Sequence, residues 1–181
     1  MSTTATFPAW AERVQAVTKE HFLDAYEREH ETTMKVLRAY PSDKLDFRPH
    51  PRSNTARDLA WTFVLERALA TNVFNDMYAN GIPAGQTPPP PPESWDELLA
   101  ALEKAHREFG DLVRGMSEEE LSKKVHFFVG PKQLAEVPRL WFAWYLLHDQ
   151  IHHRGQFSVY LRMAGGKVPS IYGPSGDEPW T

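Results

Sequence analysis

The sequence predicts an all-α protein built as a four-helix bundle with one extra short helix and an irregular C-terminal tail. Three observations carry this: four long segments place apolar residues at helical spacing, capping residues precede them, and proline or glycine stops three of them. The first segment, Lys19 to Tyr40, aligns Phe22, Tyr26, Thr33, Leu37 and Tyr40 on one stripe, with Thr18 as N-cap and Pro41 as stop. The second, Thr55 to Ala79, aligns Leu59, Thr62/Phe63, Glu66, Ala70, Val73 and Met77, starts at Asn54 or Thr55, and ends at Asn80-Gly81. Pro88 to Pro92 cannot be helical, so the stretch from Gln86 reads as an extended polyproline connection inside one domain. Ser94 and Glu97 form a capping-box pattern ahead of the third segment, which carries Leu98, Leu99, Leu102, Phe109 and Leu112 to about Met116. Ser117 opens the short helix, and Val125 to Val129 reads as weakly extended, leading through Gly130-Pro131 to Pro138. The fourth long segment, Pro138 to Ala164, stops at Gly165-Gly166. In the tail from Lys167 to Thr181, Ile171, Tyr172 and Trp180 are expected to pack back on the bundle.

Composition narrows the function classes. A chain of 181 residues with 41% hydrophobic content suits a single domain over 1–181 with a full core. A formal charge of −4 argues against nonspecific binding to nucleic acid. No cysteine is present, so there is no thiolate nucleophile, and any metal must be held by nitrogen and oxygen ligands. Met1 to Ala11 has no signal-peptide pattern and no run of about 18 apolar residues occurs, so the expectation is a cytoplasmic protein without a membrane partner.

The chemistry concentrates in Leu146 to Gln156, where His148, Asp149, His152 and His153 fall within six positions of an aromatic-rich helix. Residues four apart stack on one helix face, so Asp149 shares a face with His153, and His148 shares the next with His152. Either pair suits one divalent metal ion. Polar residues also interrupt the apolar stripes of the first two helices, at Glu29, His30 and Glu66. Burying such groups requires partners or a metal. Glu66 reads equally as a ligand or general base and as a salt-bridge partner of Arg154 or Arg57. Glu29 and His30 read as pocket-lining or, among charged neighbours, as a solvated face. Trp61, Trp141, Trp144 and Tyr145 read as core or as walls of a substrate cavity.

The string His152-His153-Arg154-Gly155-Gln156, with Val159-Tyr160-Leu161-Arg162 and Gly165 to Pro169 after it, resembles the DinB-like (DinB/YfiT) superfamily. Leu45-Asp46-Phe47-Arg48-Pro49, Ala56-Arg57-Asp58-Leu59-Ala60-Trp61 and Ile171-Tyr172-Gly173-Pro174-Ser175 extend the resemblance in the expected order. It implies an up-down-down-up four-helix bundle, often dimeric, holding a divalent metal through one histidine of the second helix and an i, i+4 pair in the late helix. It further implies thiol transferase or thiol-dependent isomerase chemistry with a low-molecular-weight thiol in some members. Residue by residue, His153 matches one ligand, but Asp149 stands where the other late-helix histidine is expected, and Thr62 stands at the second-helix position.

Two readings follow. In the first, Asp149, His153 and Glu66 hold a divalent ion, Zn or Ni, with His148 and His152 as the alternative ligands. Glu66 and His152 then serve catalysis, Trp61, Thr62, Tyr145 and Gln156 contact a small-molecule substrate, and a thiol transferase or hydrolase results. In the second, the metal-free site is a carboxylate–imidazole contact inside a catalytically inactive, ligand-binding or stress-associated homodimer.

Overall fold

Side-chain caps set where the helices begin. In the computed structural model, which describes residues 18–81, 87–130 and 133–180, α1 (Lys19–Arg38) starts at Thr18, whose side chain accepts from His21 N–H. α2 (Ala56–Phe74) starts at Thr55, where Thr55 and Asp58 each bond the other's backbone N–H in a complete capping box. α3 (Trp95–Gly115) starts at Ser94, α4 (Glu118–Ser122) at Ser117, and α5 (Arg139–Met163) follows Pro138. At Ser94 only the half of the expected box in which its side chain accepts from Glu97 N–H is formed. Beyond α5, Gly165 has φ of +88°, and a Cβ on Gly166 would meet Leu161 Cδ1 at 2.3 Å. Glycine is therefore required at both positions of this helix stop.

Two expectations need correction. The chain is mostly helical rather than all-α, because Lys124–Gly130 (β1) and Gln133–Pro138 (β2) form an antiparallel hairpin with Val125 opposite Val137 and Phe127 opposite Ala135. β2 went unread because its short alternation sits beside a proline that reads as a helix start. α2 also ends at Phe74, not Ala79. Asp76 adopts a positive φ of 52° and accepts from both the backbone N–H and Nδ1 of His126, at 2.8 and 3.0 Å, which ties the hairpin to the end of α2. The readings placed on Met1 to Ala11, Gln86 and Pro131 lie outside the described residues.

Each long helix packs against two others: α1 against α3 and α5, and α2 against the same pair. The core divides into two apolar clusters. One joins Leu37 of α1, Phe63 of α2, Leu102 of α3 and Phe157 of α5; the other joins Phe22, Phe74, Phe109 and Phe142 of the same helices with Val125 and Val137 of the hairpin. Between them runs a belt of buried polar side chains: His30, Thr33, Glu66, Arg67, His106, Gln150 and Arg154. Arg154 pairs with Glu29 Oε2 at 2.6 Å and hydrogen-bonds Tyr172, whose hydroxyl donates to Glu29 at 2.6 Å. Lys35–Glu178 and Arg162–Asp177 ion pairs fasten the same tail, and Ile171 packs on the core as expected, but Tyr172 and Trp180 remain 65% and 66% exposed.

The other half of the belt is less fully paired. His30 and His106 stack at 3.6 Å, Arg67 donates to the Phe63 carbonyl at 2.7 Å, and no carboxylate of the described residues lies in ion-pair range of Arg67. Burial, with the Arg67 charge beside it, lowers the His30 pKa. Burial, His30 and Arg67 bring His106 down to about 2. Both rings are thus neutral when folded, whereas in the unfolded chain they take up protons near pH 6.5. A base with a depressed folded-state pKa withholds stability as pH falls below the unfolded value. Urea titrations between pH 7 and pH 5 should show unfolding free energy falling by about 1 kcal/mol per pH unit on account of His106, with His30 acting in the same direction. His106→Phe should flatten that slope, and a wild-type stability independent of pH in this window would contradict the neutral assignment.

Candidate metal centre

The i, i+4 spacing on α5 does bring Asp149 and His153 onto one face, and α2 presents Glu66 to it. His153 Nε2 lies 3.2 Å from Glu66 Oε1 and 3.8 Å from Asp149 Oδ2. One ligand atom from each of the three residues can be chosen so that all lie within 4.8 Å of one another. Side-chain exposure rises from 7% for Glu66 through 21% for His153 to 38% for Asp149, so the cluster runs from the bundle interior to an open mouth.

Neither oxygen of the Glu66 carboxylate has a partner in hydrogen-bond geometry, although both are buried. Its contact with His153 is a charge contact rather than an aligned hydrogen bond. Burial pushes the Glu66 carboxyl above the usual carboxylate range, opposed by His153. Contact with the Glu66 carboxylate raises His153 to about 9, assisted by Gln156 and Asp149 and opposed by partial burial. Two carboxylates flank the one imidazole, which favours its protonated form. His153 Nδ1 meets Gln156 Oε1 at 3.2 Å, and an amide oxygen only accepts, so Nδ1 carries a proton in either charge state. The proton that titrates at about 9 is the one on Nε2, facing the carboxylates. Gln156 Nε2 in turn donates to His152 Nε2 at 2.8 Å.

The triad closes one end of a cavity of about 770 Å³. Thr62, Leu65, Leu69 and Asn72 of α2 form one wall; Phe127 and Phe128 of β1 form another; Pro88 and Pro89 close a third side, with Met77 and Tyr78 at the end of α2. Asp76, by anchoring His126, places the two phenylalanines. Burial would raise the Asp76 carboxyl, but the two bonds from His126 outweigh it and hold the pKa below the usual value.

Of the residues nominated from sequence, Glu66, Asp149 and His153 come together and Thr62 lines the cavity one helical turn before Glu66. His148 lies on the exposed face of α5 near the Trp144 ring, and His152 is exposed beyond Gln156. Trp61 donates to the Pro89 carbonyl at 2.8 Å, and Tyr145 stacks on Trp141 and packs against Phe127. Neither ring is among the described residues lining the cavity, nor is Gln156. The proposed Glu66 ion pairs with Arg154 or Arg57 do not form; those arginines take Glu29 and Asp46. Glu29 and His30 are neither solvated nor at the cavity, since His30 is buried against His106 and Glu29 is held by Arg154. Leu65, Leu69 and Asn72 share the Thr62 face at helical spacing and were readable as a set. Phe127 and Phe128 carried no such signal.

Comparison with known proteins agrees with this architecture. The chain belongs to the DinB family, whose family model matches residues 1–180. It is 28% identical over 162 residues to YrdA of Bacillus subtilis strain 168, covering 89% of this chain and 92% of that protein. A DinB-like protein from Bacillus cereus ATCC 10987 superimposes with a TM-score of 0.66 at 27% identity, covering 84% of this chain and 97% of the other. The DinB-like protein YjoA of Bacillus subtilis shares the fold, with a TM-score of 0.60 at 15% identity, covering 80% and 92%.

Two substitutions probe the site. In Glu66→Gln the His153 pKa should fall from about 9 towards 6.5, read by NMR titration of the ring protons; an unchanged value would remove Glu66 as the cause. His153 protonation stabilises the metal-free fold below pH 6.5, and that contribution is lost as pH rises through about 9. Asp76→Ala should cost about 1–3 kcal/mol in chemical unfolding, because it frees both His126 donors.

Proposed function

We propose that this DinB-family protein is a divalent-metal site protein acting on a small molecule, with Glu66, Asp149 and His153 as ligands. The observation that carries the reading is Glu66: two buried carboxylate oxygens without hydrogen bonds, within reach of a second carboxylate and an imidazole. A protein rarely leaves such atoms unsatisfied, and a cation facing them supplies what the side chains do not. The donor set fits an ion, since two oxygens and one nitrogen suit Zn²⁺ and Ni²⁺ and accommodate harder ions such as Mn²⁺. DinB-like proteins are typically metal-binding, which agrees. The alternation of helix ends within the two apolar clusters supports an up-down-down-up arrangement, which brings α2 and α5 side by side at the triad.

When bound, a divalent ion lowers the pKa of a coordinated water or thiol and so supplies a nucleophile near neutral pH. The chain's own residues do the rest. Gln156 fixes the His153 ring by holding Nδ1–H, and the exposed His152 steadies Gln156. The apolar walls exclude water from the substrate, and a Glu66 oxygen left free by the ion is placed to accept a proton within the cavity. A thiol transferase or hydrolase, cytoplasmic and homodimeric, is the activity and setting we propose. The direct Glu66–His153 contact favours a second reading, in which the imidazolium itself serves as the permanent counter-charge and no metal binds.

Metal content after dialysis decides between them. Wild-type protein should retain about one equivalent of divalent ion, and His153→Ala should lose most of it; equal content in both discards the assignment. Chelator should lower the melting temperature of the wild type, because an ion that binds only the native state stabilises it by mass action. His153 must shed a proton to ligate, so affinity measured against a competing chelator should rise about tenfold per pH unit from pH 7 towards 9.

A further inference from the structure

The cavity carries information that the triad does not. Its walls are leucine, methionine, proline and aromatic side chains, and it is large enough for a ring-bearing ligand of moderate size. Among the described residues that line it the charged groups are Glu66, Asp149 and His153, and no lysine or arginine is present. Arg67, next to Glu66 in the chain, is buried and engaged with the Phe63 carbonyl and His30, on the side of α2 facing α1 and α3. Asn72, by contrast, lines the cavity with a side-chain amide that makes no hydrogen bond to the described residues. Thr62 Oγ1 donates to the Asp58 carbonyl, which leaves its lone pairs to accept.

We infer that the cavity selects a molecule with an aromatic or branched apolar body, one neutral hydrogen-bonding head group, and no carboxylate or phosphate. The inference rests on the metal-site reading only in placing the triad at the reacting end. An anion entering here leaves water for apolar walls and meets two carboxylates against the single His153 imidazolium, with no lysine or arginine among the described lining residues to receive it. A divalent ion held by the triad would offer an anion a coordination position, so the selection is sharpest in the ion-free cavity. A neutral head group meets instead the Asn72 amide as donor and acceptor and the Thr62 oxygen as acceptor, while its body fills the space between Leu65, Leu69, Phe127 and Phe128. Low-molecular-weight thiols bearing carboxylates are therefore disfavoured in the ion-free cavity, and apolar thiols, alcohols or amides are admitted.

An isosteric pair tests this: 3-phenylpropionamide against 3-phenylpropionate, by titration calorimetry on the full chain, first with EDTA and then with added Zn²⁺ or Mn²⁺. The amide should bind at least about tenfold more tightly than the carboxylate in EDTA, and the difference should narrow once the ion is added. Phe127→Ala should weaken the amide several-fold, and Asp149→Asn, at the open mouth, should narrow the difference between the two probes. Equal or tighter binding of the carboxylate in EDTA overturns the inference, as does failure of both probes to bind. The two readings fail separately. Amide selectivity in a protein that retains no metal sinks only the metal centre, and a metal-retaining protein that prefers the carboxylate in EDTA sinks only the selectivity.

Discussion

Everything in this fold answers to the burial of ionisable side chains at mid-height of the bundle. Glu66, Arg67 and Arg154 are each at most 6% exposed, and a lone charge in such surroundings costs several kcal/mol. The chain meets that cost in three different ways. Arg154 is fully engaged, through Glu29 and Tyr172. Arg67 relies on a backbone carbonyl, a neutral imidazole and the face of Tyr26 at 5.7 Å. Glu66 is the least satisfied, with a charge contact to His153 and nothing aligned to its lone pairs. The apolar clusters above and below hold the helices tightly enough for this imbalance to persist. Residual polarity therefore gathers at one place, where the belt opens to the cavity.

Against the three-histidine set that the family resemblance implies, the proposed set of Glu66, Asp149 and His153 differs in charge rather than only in ligand type. Three neutral imidazoles carry no formal charge; Glu66, Asp149 and neutral His153 carry −2. A divalent ion then neutralises the set. Without one, the His153 proton provides half of the compensation, which is why its pKa lies so far above the ordinary value. In the proposed centre, proton and metal would therefore compete for one imidazole nitrogen.

Much of this was readable before any coordinates. The helix starts at Thr18, Thr55, Ser94 and Ser117 follow from local capping chemistry, and the Asp149/His153 face follows from helix geometry alone. Glu66 was legible as a polar interruption in an apolar stripe. What escaped was non-local. Asp76 holds His126 across 50 positions of chain, and no periodicity announces that contact. His30 looked solvated because its sequence neighbours are charged, yet it faces His106 of α3, and the stack between them is a tertiary event. The roles expected of Trp61 and Tyr145 rested on aromatic character, which does not distinguish a cavity wall from its outer support. Half of the hairpin was legible, since Val125 to Val129 reads as extended and lies in β1, but β2 escaped because a short strand becomes one only when its partner is present.

The hairpin and the polyproline segment lie outside the four long helices, yet they supply five of the fifteen described residues that line the cavity. The bundle fixes the ligand atoms; the two insertions shape what reaches them. This division of labour makes the two properties independently adjustable. A relative that exchanged β1, β2 and residues 87–92 for other loops would keep its donor atoms in register while admitting different compounds. Grafting those loops between relatives would accordingly transfer preference without disturbing the underlying chemistry.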